Sequence, residues 1–311
     1  MRSSHFSILH VWKRIFGNSQ GIGLIVLSTA IYGLTMAVTK GTLDYIPPLT
    51  LLTVQTASSV LLFWTIVVVR RIPVQWNRQT VQVGLSGLLE PGLSYLCGML
   101  GLSMTTASDA ALLGTLEPIA TIAFAWLFLK ERVGKLLLGL GGLACLGVLF
   151  VAMPEGGGAV RSSLPGNLLV MMSVVFAALY VIVTSRSIGQ MSPVLLAALQ
   201  QSAALGLFAI IEVWACFHGE HLVWQGGTGW SLVVAVLSGA FGYGLAFLLY
   251  LEALRRRSAS EISLYLALVP VFGAIAAYVV LGERLLPVQG LGGMLILLAV
   301  VGVSKLPGRG V

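Results

Sequence analysis

Apolar residues fall in ten long runs separated by short polar breaks: 21–40, 48–69, 81–102, 107–129, 135–153, 165–185, 193–216, 229–251, 260–281 and 287–305. Each run is about 20 residues long, which is what a helix needs to cross the hydrocarbon core of a bilayer. None alternates polar and apolar at every second position, as the strands of a membrane barrel do. The pattern predicts ten membrane-spanning helices. The widest breaks are residues 154–165 and 218–229. The first lies midway and joins a half at 21–153 to a half at 165–305 through a loop at 154–164. A basic segment precedes the first half at 1–20, with Arg2, Lys13 and Arg14 among Phe6, Ile8, Leu9, Trp12 and Phe16. It is expected to lie on the membrane surface as an amphipathic helix. Residues 306–311 form a short tail.

The two halves repeat one another. Residues 85–151 align without a gap onto 237–303, a shift of 152, and 21 of the 67 pairs are identical. Leu85-Ser86-Gly87 returns as Leu237-Ser238-Gly239, Ala107-Ser108 as Ala259-Ser260, Pro118 as Pro270, and Glu131-Arg132 as Glu283-Arg284. The first spans echo each other at a shift of 145: Ser28, Tyr32, Thr35 and Thr39 correspond to Ser173, Ala177, Tyr180 and Thr184. Spacings of four, three and four put each set on one helix face. Such a stripe serves either helix–helix packing or the lining of a polar path. Five spans per copy, an odd number, set the copies in opposite orientations, the arrangement of an alternating-access transporter. The predicted fold class is thus an all-α polytopic membrane protein, with ten transmembrane helices in two inverted five-helix repeats.

Composition supports this reading. The chain is 57% hydrophobic and 9% charged, with mean hydropathy +0.96, whereas soluble domains carry about 25% charged residues. Its 37 glycines suit closely packed membrane helices. The net charge of +7 does not point to nucleic acid, because the cations sit in short loops. With both termini cytoplasmic, 15 of the 18 Lys and Arg fall on the inner side, and only Lys40, Arg161 and Arg284 fall outside. Cys97, Cys145 and Cys216 have no metal or redox spacing, so neither a disulfide, a metal nor another cofactor is expected. The four histidines lie outside the spans and form no catalytic motif, which argues against an enzyme.

The candidate chemistry centres on Glu90 and Glu117, each near the middle of a span. A charged side chain there costs about 2.5–3.5 kcal/mol on insertion scales and usually faces a cavity or a partner. Their surroundings match: Gly87-Leu88-Leu89-Glu90-Pro91 and Gly114-Thr115-Leu116-Glu117-Pro118. Each proline removes a backbone donor, and the carbonyl that loses its partner belongs to Gly87 or Gly114. Both helices are expected to kink beside a carboxylate, and Pro270 to kink the ninth span. The third span carries a polar stripe of Gln79, Gln82, Ser86, Glu90, Ser94 and Cys97. Ser94 and Thr121 join the glutamates as pathway candidates. So do Thr35 and the phenols of Tyr32, Tyr180, Tyr243 and Tyr265, which offer a surface for a cationic or aromatic solute. The competing reading is that the glutamates are buried structural acids and the tyrosines ordinary packing. The second copy holds Gly242 and Val269 where the first holds Glu90 and Glu117, so charge recognition is expected from the first half alone. Asp109 and Glu261 read as helix-start acids, Glu252 as an ion-pair partner of Arg255 and Arg256, and Glu131-Arg132 with Glu283-Arg284 as docking elements.

Several short motifs carry a resemblance. Pro47-Pro48-Leu49 opens the second span, and Ala107-Ser108 leads into Leu116-Glu117-Pro118. Leu129-Lys130-Glu131-Arg132 ends the fourth span, and Val269-Pro270 and Leu281-Gly282-Glu283-Arg284 are the second-copy equivalents. Over nearly all of residues 20–306 the chain resembles the drug/metabolite transporter superfamily, specifically its EamA-type exporters. The resemblance implies inner-membrane exporters of amino acids or other small metabolites, with a pathway between spans 1, 3, 4, 6, 8 and 9. Two departures stand out. Tyr32-Gly33 stands where the family usually has Trp-Gly, and Gln55 where it often has arginine, so a candidate cationic partner for the glutamates is missing. The expected function is export of small metabolites or amphipathic organic compounds by alternating access. A proton-coupled organic-cation exporter and a passive channel are the alternatives. The expected partners are a small-molecule substrate, protons as a candidate coupling ion, and the lipid bilayer, in a monomer or homodimer.

Overall fold

The computed structural model describes residues 20–43, 45–105, 113–114, 116–131, 133–151, 163–218, 229–276, 278–279 and 286–305. Among them there are helices and turns but no strand. The helices are α1 (Gln20–Thr42), α2 (Pro48–Val69), α3 (Arg78–Leu85 continuing to Met104), α4 (Leu116–Leu129) and α5 (Lys135–Val151). The second half holds α6 (Leu164–Ser187), α7 (Pro193–Phe217), α8 (Gly229–Ser238 continuing to Leu254), α9 (Ala259–Leu266, then Leu268–Ala276) and α10 (Pro287–Ser304). Eight are long and apolar enough to cross a bilayer, and α4 and α5 are shorter apolar helices. The expected surface helix at 1–20 falls outside the described residues apart from Gln20, as do Asp109, Arg132, Glu283, Arg284 and the 306–311 tail.

Helix starts follow local chemistry. α2, α7 and α10 begin on a proline, whose missing N–H is one that no first turn could use. Asn77, Ser163, Ser192 and Ser258 accept bonds from the backbone N–H groups of Thr80, Gly166, Leu195 and Glu261. The molecule is apolar outside and partly polar inside. Leu61, Val68, Val69, Ile210, Phe217 and Val301 are exposed, while Ser28, Gln55, Thr56, Ser59, Thr184, Gln200 and Gln201 are buried. That distribution suits lipid as the surrounding solvent.

Packing obeys the repeat. α1 packs on α8 and α9, as α6 packs on α3 and α4. α2 packs on α8, as α7 packs on α3. α2 with α7, and α5 with α10, close the set. Exchanging the halves maps each contact onto a member of the set, with α2–α7 and α5–α10 mapping onto themselves. Glycines let the backbones approach. A Cβ on Gly33 would lie 2.6 Å from the backbone nitrogen of Gly273, and one on Gly292 2.5 Å from the carbonyl oxygen of Gly147.

Two spans bend where proline predicts. In α3 the helix narrows over Ser86–Leu88 and then widens to a π-type turn over Leu89–Leu93. Glu90 leaves helical conformation there, with φ −147° and ψ 130°. α9 breaks at Ala267, just before Pro270. Gly114 is helical, and Pro118 stands in the first turn of the described α4. A third irregularity was not anticipated: α8 also widens, over Gly239–Ala246. Shifted back by 152, that stretch covers the wide turn of α3. Both halves therefore carry the feature, although proline occurs in only one.

Candidate functional site

The wide turn of α3 presents Glu90, and the start of α4 presents Glu117. Both are half-buried, and the carboxylates lie close enough to interact electrostatically. Among the described residues, no lysine, arginine or histidine forms an ion pair with either. Phenols surround them instead. Tyr32 of α1 and Tyr180 of α6 both lie within electrostatic range of Glu90. The hydroxyls of Tyr32 and Tyr95 are hydrogen-bonded. The rings of Tyr95 and Tyr243 meet edge to face with centroids 5.3 Å apart. Tyr250 of α8, buried and without a hydrogen-bond partner for its hydroxyl among the described residues, is within range of both glutamates. Four elements, α1, α3, α6 and α8, thus bring five tyrosines around two acids.

Behind this cluster lie two buried amides related by the shift of 145. Gln200 of α7 donates from Nε2 to Ser86 Oγ at 2.8 Å and Thr184 Oγ1 at 3.2 Å, tying α3 to α6. Gln55 of α2 donates from Nε2 to Ser238 Oγ and Thr39 Oγ1, both at 2.9 Å, tying α8 to α1. Ser86 and Ser238 spend their own protons on the carbonyls of Val83 and Ala235, so each serine must accept from the amide. This fixes which end of each amide is the oxygen. Gly87 and Gly239 allow the approach. A Cβ on Gly87 would lie 2.0 Å from the Gln200 carbonyl oxygen, and one on Gly239 2.4 Å from that of Gln55.

The remaining candidates divide. In the α1 stripe Tyr32 faces the acids, while Thr39 holds Gln55 and Thr35 packs on Gly242. Ser28 donates to the Ala246 carbonyl at 2.7 Å. The stripes therefore serve packing and the cluster together. Ser94 is buried one turn beyond Glu90, and Thr121 is fully buried with a hydroxyl that has no partner among the described residues. Tyr265 sits apart, near Arg257 and Glu261 at the start of α9. Glu261 pairs with Arg257 at 3.5 Å, and Glu252 with Arg255 and Arg256, as their spacing predicts. Glu131 docks on the start of α9, accepting from the N–H groups of Ala259 and Ser260 and, at 2.7 Å, from Ser260 Oγ. Tyr95, Tyr250 and the Gln55–Gln200 pair were not singled out as site residues from sequence. Extending the shift of 145 from the first spans to the second would have found the glutamines.

Residues 19–153 and 164–305 match the model of the EamA-like transporter family. A protein of Archaeoglobus fulgidus named "Uncharacterized transporter" is 23% identical over 282 residues, covering 89% of this chain and 96% of that one. "Uncharacterized transporter YcxC" of Bacillus subtilis is 33% identical over 93 residues, which is 30% of each chain. A solved structure titled "Crystal structure of protein" shares the fold with a TM-score of 0.76, at 18% identity, over 91% of this chain and 98% of that one.

Proposed function

Because the chain belongs to the EamA-like transporter family, we propose that it is an alternating-access exporter of small organic solutes bearing a positive charge, taken in exchange for protons. Amino acids and amphipathic organic amines both fall in that class. The membrane is the cell's inner membrane, with both termini cytoplasmic, as the Lys and Arg distribution favours. The observation that carries the reading is the pair Glu90 and Glu117, without a cationic side-chain partner among the described residues and ringed by phenols. Two carboxylates in a medium of low dielectric hold a positive charge between them, either a proton or an ammonium group. Competition between the two for one site couples their movements, and tyrosine faces favour an organic cation. The wide turns of α3 and α8 supply bendable points beside the site.

Reconstitution in vesicles tests the reading, by screening labelled amino acids and organic cations with and without a pH gradient. An acidic lumen should drive uptake of the cation as protons leave. Glu90→Gln and Glu117→Gln should remove that drive. Uptake indifferent to both the gradient and both substitutions would overturn the proposal.

A further inference from the structure

The two buried amides differ at one atom. Gln200 Oε1 accepts from the Tyr180 hydroxyl at 3.1 Å. Gln55 Oε1 has no partner among the described residues, although the side chain is fully buried. The shift of 145 puts Thr35 where Tyr180 stands, and the shift of 152 puts Gly242 where Glu90 stands. The position that would fill the acceptor thus carries a side chain too short to do so. A buried, unpartnered amide oxygen is costly, and native structures rarely keep one without a use.

We infer that Gln55 Oε1 is a solute-binding position, which accepts a hydrogen bond from an N–H of the transported ammonium once α1 separates from α8. With α1 against α8, Thr35 packs on Gly242 and the acceptor is shut in. The same amide holds Thr39, which shares a face of α1 with Tyr32, so separation would uncover the acceptor on that side. The selected solutes are primary or secondary amines rather than quaternary ones. This rests on the cation reading above.

The test compares phenethylammonium with its N,N,N-trimethyl analogue, binding to the full-length protein in detergent, followed by intrinsic fluorescence. Gln55→Met removes the whole amide. Gln55→Arg keeps donors for Thr39 and Ser238 but removes the acceptor, and size-exclusion behaviour checks that each variant is folded. One hydrogen bond is worth about a factor of ten in affinity. Both variants should cut the primary-over-quaternary preference by about that factor. The added charge of arginine weakens both probes alike and leaves the ratio to report the bond. A preference unchanged in the variants overturns the inference while leaving the cation reading intact, provided that binding of both probes still depends on Glu90 and Glu117. Binding of neither probe to the unaltered protein overturns both.

Discussion

The corner where α7 ties α3 to α6 and the corner where α2 ties α8 to α1 are built from the same parts. Each has a glycine at the crossing, a serine after a leucine, a glutamine behind them and a threonine on the third helix. The parts that differ face forward. Glu90 and Tyr180 in one corner answer to Gly242 and Thr35 in the other. The repeat therefore preserves what holds the helices together and varies the residues that the proposed function assigns to the solute. The wide turn belongs to the first category, since α8 has it without the proline of α3.

The sharpest way to break this comparison is through the glycines. Gly87→Ala and Gly239→Ala each force a Cβ into the backbone of the facing helix. Each should cost about 3 kcal/mol, the upper end for overpacking, and appear as lost folded protein and a lower Tm in detergent. Gly142→Ala, in α5 with no described residue near the added carbon, is the control and should leave Tm unchanged or slightly raised. Equal tolerance at all three positions would mean that the glycines do not set the crossings.

Next come the acids, which test whether charge recognition lives in one corner only. Glu90→Gln and Glu117→Gln should each lower proton-driven uptake by about tenfold or more, because an ionisable group is retained inside a membrane mostly for a use. Thr35→Ser, in the uncharged corner, should change it by less than about twofold.

Much of this is legible in the sequence. The ten runs and the repeat follow from hydropathy, because lipid forces every span to satisfy its own backbone, and the breaks in α3 and α9 follow from proline. Glu90 and Glu117 were legible as two acids in apolar surroundings. That they lie near each other was not, because it depends on how α3 and α4 pack rather than on either sequence. Tyr95 and Tyr250 were hidden for the same reason: an aromatic in an apolar run looks like packing until its neighbours are known. The wide turn of α8 lacked the expected sign altogether, having Tyr243 where α3 has Pro91.

The amides offer a smaller contrast. Gln200→Met removes three hydrogen bonds and should cost about 2–3 kcal/mol. Gln55→Met removes two but also abolishes an unsatisfied acceptor, so its net cost should stay within about 1 kcal/mol. Thermal unfolding of the two variants side by side measures the difference. Equal losses would show that Gln55 Oε1 finds a partner, such as a buried water, in the folded protein.

The finest test converts one corner into the other. Tyr180→Phe keeps the ring packed on Phe247 but takes the donor from Gln200 Oε1, leaving it as bare as that of Gln55. The ring fills the same space, so no cavity contributes, and the expected loss is that of the hydroxyl's bonds to Gln200 and Thr184, about 1–2 kcal/mol. In a Gln55→Met background the same substitution should cost as much again, since the two amides share no residue and lie in separate corners. A larger combined loss would mean that the corners are coupled through the tyrosine cluster between them, and that the pathway helices move as one body rather than as two.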